Sequence, residues 1–440
     1  MPDRFTRRRF LQASAALGAT GLGGDLLQAA AEKSSPNERL HVGVIGVAGQ
    51  GAYDMNETAN GGAEIVALCD VDERRTGPAR QRFPRARFYT DFRKLIDAGK
   101  LDAVIVATPD HTHAVATVRA LRAGLHVYCE KPLTHTVHEA RLVAETAAKH
   151  KRVTQMGTQI HAGSNYRRVV ELIRGGAIGT VREVHVWCGR SYSGGDRPKE
   201  VEPVPQGLHW DLWLGPAPRR PYHHGPNRKG NGTYEPFNWR GWWDFGGGTL
   251  ADMACHHMDL PFWALQLPHP TRVVAEGPKP HSESTGPWLI VHYEFPARDT
   301  RPAVKLTWYD GGKRPVQFAQ GKLPRWGDGS LFVGDKGMLL AGYGEHRLLP
   351  EKDFAGFVPP RPTIKDSIGH HKEWVEACKS GGTTTCNFGY SGALTEAVLL
   401  GNASYRSGKP LDWDAKGLRA TNTSDADRYL RHEYPKEWEL

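Results

Sequence analysis

The chain has 440 residues, 39% hydrophobic and 24% charged, a foldable mixture long enough for two or three domains and not a disordered one. No run reaches the ~18–20 apolar residues of a membrane span. The formal charge of +9 is spread over 57 basic and 48 acidic side chains without a Lys/Arg block, so nothing here reads as a nucleic-acid footprint.

Thr6-Arg7-Arg8-Arg9-Phe10-Leu11-Gln12 fits a twin-arginine export pattern. A Gly/Ala-rich stretch follows, and Ala29 and Ala31 offer a small-residue cleavage site. Residues 1–31 therefore read as a signal peptide, outside the fold. Their removal takes away four arginines and two acids and leaves +7. The expected location is periplasmic or otherwise extracytoplasmic, reached already folded. The six cysteines form no Cys-x-x-Cys pair and read as buried thiols, with Cys378 and Cys386 the one pair placed for a bond.

Residues 38–158 read as a dinucleotide-binding unit. Leu40–Ile45 is a short apolar run, expected as a buried parallel strand. It leads into Gly46-Val47-Ala48-Gly49-Gln50-Gly51, a turn that lets backbone N–H groups approach a pyrophosphate at a helix N-terminus. Alanine stands at position 48, where the strict pattern has glycine. A second apolar strand ends in Asp70. An acid there bonds the adenosine ribose and repels a 2′-phosphate, which favours NAD over NADP. Arg74 and Arg75, close behind it, argue the other way. A third strand runs into Thr108-Pro109-Asp110-His111-Thr112-His113, and a fourth into Glu130-Lys131-Pro132. Strands alternating with helices predict a parallel sheet with its ligand at the strand C-termini.

The second half, 159–412, begins at Gln159 with a helix over Ser164–Arg174, followed by an alternating strand, Val181–Trp187. Strands are also expected at Thr271–Glu276, Trp288–Phe295, Ala303–Tyr309, Ser330–Val333 and Met338–Ala341. Gly246-Gly247-Gly248 ends a loop, and a helix carries Asp252, His256 and Asp259 at i, i+4, i+7 on one face. A carboxylate one turn from an imidazole suits a base that takes a hydroxyl proton as hydride leaves. The histidine pairs join no metal signature, so no metal is expected. An aromatic block precedes this helix: Trp210, Trp213, Tyr222, Tyr234, Trp239, Trp242, Trp243 and Phe245, with Arg240 among them. Apolar ring faces beside Arg suit a polyhydroxylated substrate. Core filling is the competing reading of each tryptophan.

These motifs resemble the family of NAD(P)-dependent sugar and inositol oxidoreductases that includes glucose–fructose oxidoreductase and inositol 2-dehydrogenase. The resemblance rests on Gly46–Gly51, Asp70, Ala107-Thr108-Pro109 with His113, and Glu130-Lys131-Pro132. It implies an α/β fold: a Rossmann domain plus an α+β domain with a large, mostly antiparallel open sheet, late helices packing back on the first domain, and a dimer or tetramer through the open face. It implies cofactor contacts at Gly46, Ala48, Gly49, Gln50, Gly51, Asp70, Thr108, Pro109, His113, Glu130, Lys131 and Gln159. Lys131, Asp252 and His256 become the catalytic set. Tyr166, Tyr234, Arg240, Trp242, Trp243, Asp252 and His256 become the substrate set. Residues 413–440 read as an arm onto a neighbouring subunit.

The expected activity is hydride transfer between a sugar, polyol or glycoside hydroxyl and tightly bound NAD. Outside the cytoplasm each oxidation needs a paired reduction on the same cofactor. One such cycle is a glycoside hydrolase acting by oxidation, elimination, hydration and re-reduction, with Tyr166, Tyr234 or a late histidine as its extra base or acid. A non-catalytic sugar-binding protein on the same fold is the alternative of another class.

Overall fold

A computed structural model describes residues 39–225 and 232–440. The twin-arginine segment lies outside the described residues, as do positions 226–231 of the long loop.

The first sheet has six parallel strands: β1 (Leu40–Ile45), β2 (Ala63–Cys69), β3 (Arg87–Tyr89), β4 (Ala103–Val106), β5 (His126–Glu130) and β6 (Thr154–Gly157). Their order is β3-β2-β1-β4-β5-β6, so the chain reverses direction of winding between β1 and β4, where such sheets open a crevice for ligands. Every residue of β4 is buried, as expected of a strand covered on both faces. Helices α1 (Gln50–Asn60), α2 (Asp110–Arg122) and α3 (Val137–His150) make the crossovers. Helix α3 starts on a capping box: Thr136 Oγ1 accepts from the Glu139 N–H at 3.3 Å, and Glu139 Oε2 accepts from the Thr136 N–H at 2.7 Å.

After helix α4 (Ser164–Arg174) comes a nine-stranded sheet. Its strands are β7 (Val181–Trp187), β8 (Arg272–Glu276), β9 (Ile290–Phe295), β10 (Val304–Tyr309), β11 (Gly329–Gly334), β12 (Met338–Ala341), β13 (His346–Leu349), β14 (Leu411–Asp414) and β15 (Arg419–Ala420). The order is β13-β12-β11-β7-β10-β9-β8-β14-β15. Only β7 and β10 pair in parallel. Three further helices set the site: α5 (Trp210–Leu214), α6 (Gly248–His257) and α7 (His370–Ser380). Helix α8 (Phe388–Ser407) is almost wholly buried. Gly392 of α8 lies against Ala140 and Ala144 of α3, so this late helix does pack on the first domain.

Helix α8 starts at Phe388, where Asn387 caps it by accepting from the N–H groups of Gly389 and Tyr390 at 3.0 and 3.2 Å. The C-terminal segment makes contacts within its own chain. It adds β14 and β15 to the sheet edge, passes through helix α9 (Asp427–Leu430) and ends beside the first domain. Leu430 and Ala426 join the core, and the Tyr434 hydroxyl donates to Glu139. All six cysteines, Cys378 and Cys386 included, are free and buried.

Candidate active site

A long cleft follows the C-terminal edge of the first sheet. Its floor is backbone. Gly46 has φ +86°, and a Cβ there would lie 2.5 Å from the Ala107 carbonyl. A Cβ on Gly51 would lie 1.8 Å from the Gly46 carbonyl. Both positions therefore require glycine, and the turn brings the first N–H groups of α1 to the cleft, the usual cradle for a pyrophosphate. Position 48 lines the cleft as alanine without disturbing the turn.

Asp70 stands at the end of β2. Its carboxylate accepts from the N–H of Val47 and of Asp72, both at 3.0 Å, while burial pushes its pKa up. This fixes it where an adenosine ribose would lie. Arg74 is engaged elsewhere, bidentate on Asp72 at 2.7 and 2.8 Å. Arg75 lines the cleft beside Gly49. The cradle and the acid together fit NAD.

Farther along, Thr108, Pro109, Asp110, Glu130, Lys131 and Arg240 line the cleft. Lys131 Nζ meets Asp252 Oδ1 at 2.6 Å, and Arg240 Nε meets the same oxygen at 3.1 Å. Lys131 comes from the loop after β5 and Asp252 from α6, so the two halves of the chain join here. Burial alone would raise the pKa of Asp252, but the two cations hold it far below the carboxylate range. Lys131 is raised in turn: its burial is outweighed by the charge of Asp252. His256, one turn after Asp252, is held neutral by burial and by the Lys131 charge, against the pull of Asp252. The cleft lining thus carries the Lys131 ammonium and the Arg240 guanidinium, while the ionised Asp252 and the neutral His256 that back them are not among its lining residues.

Behind Lys131 lies a second layer. Gln159 does not line the cleft; its Nε2 donates to Glu130 Oε1 at 2.6 Å and to the Tyr128 hydroxyl at 3.0 Å. Burial and the neighbouring Asp54 push Glu130 up to about 8, and burial pushes Asp54 up to about 7. His371 Nε2 lies 2.9 Å from Asp54 Oδ1, so α7 braces this layer. His370 faces the Met156 carbonyl at 2.9 Å, and neither late histidine lines the cleft.

Several residues expected in the site are placed elsewhere. His113 is buried, with Nδ1 2.8 Å from the Pro132 carbonyl and Nε2 2.8 Å from the Thr108 carbonyl. It ties the loops after β4 and β5 together instead of touching a ligand. Tyr166 is buried and donates to the His256 carbonyl at 3.2 Å. Tyr234 receives a bond from Arg197 at 2.8 Å inside the aromatic cluster. Trp242 Nε1 donates to the Thr233 carbonyl at 3.0 Å, and Arg197 lies over its ring. Trp243 belongs to the main core, under the Arg406 guanidinium. Helix α6 ends at His257, and Asp259 opens the next helix. Asp259 therefore leaves the shared face and pairs with His161 at 2.9 Å.

The cleft instead takes Trp213, Glu235, Phe237 and Trp239 as its roof. Arg240 sits over Phe237 and Trp239, 4.4 and 4.2 Å from the ring centroids. Asp110 was the least visible member: it is buried among Arg240, Lys131 and Asp252, and burial pushes it up to about 8. Its position directly after Pro109 at a helix start was the available signal. Away from the cleft, Cys188, His257 and Asp328 bring ligand-type atoms within 4.8 Å of one another, as do His161, Asp259 and Cys386.

A family model described as the oxidoreductase family, NAD-binding Rossmann fold, matches residues 40–158. Its companion, the C-terminal alpha/beta domain of the oxidoreductase family, matches 170–301. An inositol 2-dehydrogenase of Salmonella typhimurium is 32% identical over 168 residues, 37% of this chain and 49% of that protein. The chain thus spans about half the length of the curated relatives it matches. Two solved structures share the fold. One is the WlbA dehydrogenase from Bordetella pertussis in complex with NADH and UDP-GlcNAcA, with TM-score 0.59, 18% identity and coverage of 86% and 99% of the two chains. The other is an aldose-aldose oxidoreductase from Caulobacter crescentus complexed with glycerol, with TM-score 0.55, 17% identity and coverage of 85% and 100%.

Proposed function

The chain belongs to the Gfo/Idh/MocA oxidoreductase family, and from that premise we propose that it is an exported, NAD-dependent oxidoreductase of a sugar, polyol or glycoside hydroxyl. The observation that carries this reading is the Lys131–Asp252 contact of 2.6 Å at the end of the cleft away from Asp70.

NAD bound along the floor supplies the hydride acceptor. The chain's own residues handle the proton and the orientation. The Lys131 ammonium donates to the substrate oxygen and stabilises negative charge as it develops there. His256, neutral at rest, accepts the hydroxyl proton. Asp252 holds Lys131 and Arg240 in place and stabilises the imidazolium that forms. Arg240, Phe237 and Trp239 offer a cation and ring faces to a polyhydroxylated substrate.

Tyr166 and Tyr234 are bonded away from the cleft, which favours plain hydride transfer over the oxidation–elimination cycle of a glycosidase. The Arg7-Arg8 pair supports export. An exported enzyme must return the hydride to a second carbonyl on the same cofactor. Assembly as a dimer or tetramer is proposed for the open face of the nine-stranded sheet.

The test is a screen of sugars, polyols and glycosides against cofactor-loaded protein, reading nicotinamide absorbance and product mass together. Reduction of bound NAD with an oxidised product supports the reading. Release of free aglycone without oxidised product would select the glycosidase, and binding without chemistry would select the sugar-binding protein. Replacing Arg7 and Arg8 by lysine should keep the protein in the cytoplasm.

A further inference from the structure

The end of the cleft opposite Lys131 is closed by the chain's own C-terminus. Asp70 marks the ribose position, and the wall there consists of Thr90, Asp91, Phe92 and Trp438. Trp438 arrives from the other end of the sequence. Its ring lies 5.9 Å from that of Phe92, tilted by 40°. The Arg93 guanidinium stands 4.3 Å from the Trp438 ring centroid and is itself held by Asp91 at 2.8 Å. Arg93 also reaches the Glu437 carbonyl at 3.5 Å.

The arm that delivers Trp438 is anchored along its length. Leu430 is in the core. His432 Nε2 lies 2.8 Å from His135 Nδ1. Tyr434 donates to Glu139, and Glu437 pairs with Arg219 at 3.4 Å. His135, Glu139 and Arg93 of the first domain, with Arg219 beyond it, hold the last residues in place. Phe92 and Trp438 pack against each other and both line the cleft, so they make an apolar wall beyond the ribose-binding acid, suited to one face of a planar heteroaromatic ring.

We propose that residues 427–440 are a clasp whose Trp438 closes on the adenine side of the dinucleotide, so that the cofactor is resident and not exchanged at each turnover. This rests on the reading of the cleft as an NAD site. A ligand enclosed in this way leaves only when the clasp opens, so the effect falls on the dissociation rate. It also gives an exported enzyme what it needs: one cofactor that is reduced and reoxidised in place.

The experiment loads full-length protein with isotopically labelled NAD and chases it with excess unlabelled NAD. Wild type, Trp438→Ala and Trp438→Leu are compared; leucine keeps apolar bulk under Arg93 but removes the ring. Dissociation should speed up by about tenfold or more, the worth of one such aromatic contact. Trp438→Phe should restore slow release. A wild-type dissociation rate in either folded variant would overturn the clasp. If wild type takes up no dinucleotide, the NAD reading itself falls, and the two failures are distinguishable.

Discussion

The floor and the roof of the cleft are made in different ways. On the floor, the pyrophosphate cradle is backbone, the Gly46–Gly51 turn and the start of α1, and Asp70, Thr108 and Glu130 stand at or just past strand ends. Their positions follow from local conformation, and a single Cβ at Gly51 would occupy the place of the Gly46 carbonyl. The roof is side chain. Trp210 stacks on Trp213 at 4.7 Å, Trp213 meets Phe245 at 4.8 Å, and Tyr234 meets Trp242 at 5.5 Å. Most of those rings face each other, and on the roof Trp213, Phe237 and Trp239 are the aromatic residues that line the cleft. A backbone site is thus specified wherever its motif is written. A side-chain site depends on how the whole cluster packs.

The difference can be broken at several strengths. The largest effect is expected where floor and roof meet: Lys131→Met should lower hydride transfer by about 10³-fold, within the usual range for a proton-handling group, while bound NAD remains measurable after denaturation. On the floor, Gly51→Ala should weaken dinucleotide binding by about 100-fold, since the turn must move; calorimetric titration with NAD checks it. In the aromatic block, Trp243→Ala should cost about 3–5 kcal/mol of stability and leave KM unchanged in the folded fraction. Trp239→Ala should do the reverse, raising KM by about tenfold with a smaller loss of stability. Chemical denaturation and steady-state kinetics on the pair separate the two kinds of tryptophan.

The smallest effect concerns pH. Asp54, Glu130 and Asp110 are raised by burial to between about 7 and 8, against about 4 in an unfolded chain. The folded protein keeps protons that the unfolded chain gives up, so their contribution is fully present at low pH and is lost as pH rises to about 8. His111, His113 and His371 are lowered by burial to about 4. The unfolded chain takes up protons below about 6.5, so their contribution is lost as pH falls from there. Of these six groups in the folded protein, the carboxyls are the ones that titrate between about 6.5 and 8. Melting temperature should therefore be higher near the bottom of that window than at its top, and Asp54→Asn should flatten the slope.

Much of the floor was legible in the sequence. The apolar strands, the glycine turn, Asp70 and the bounds of Ser164–Arg174 and Val181–Trp187 all rest on local periodicity and turn chemistry. The four-residue spacing of Asp252 and His256 put both on α6, although Asp259 left that face when the helix ended at His257. The roof was not legible, because nothing local in Trp239, Trp242 and Trp243 tells which ring packs into the core. Trp243 is buried by Arg406, far along the chain. The arm was hidden for the same reason: Arg93 and Glu437, which seat it, are 344 positions apart. Asp110 gained its role only from the charges that the fold gathered around it.

The central claim is that hydride passes between a carbohydrate hydroxyl carbon and a dinucleotide lying on this floor, with Lys131 and Asp252 at its end. The most direct measurement gives the NAD-loaded enzyme a substrate deuterated at the oxidised carbon and follows the label by mass spectrometry. The account predicts deuterium on the nicotinamide of the bound cofactor in wild type and none in Lys131→Met. Substrate turnover with no label on the cofactor would contradict it.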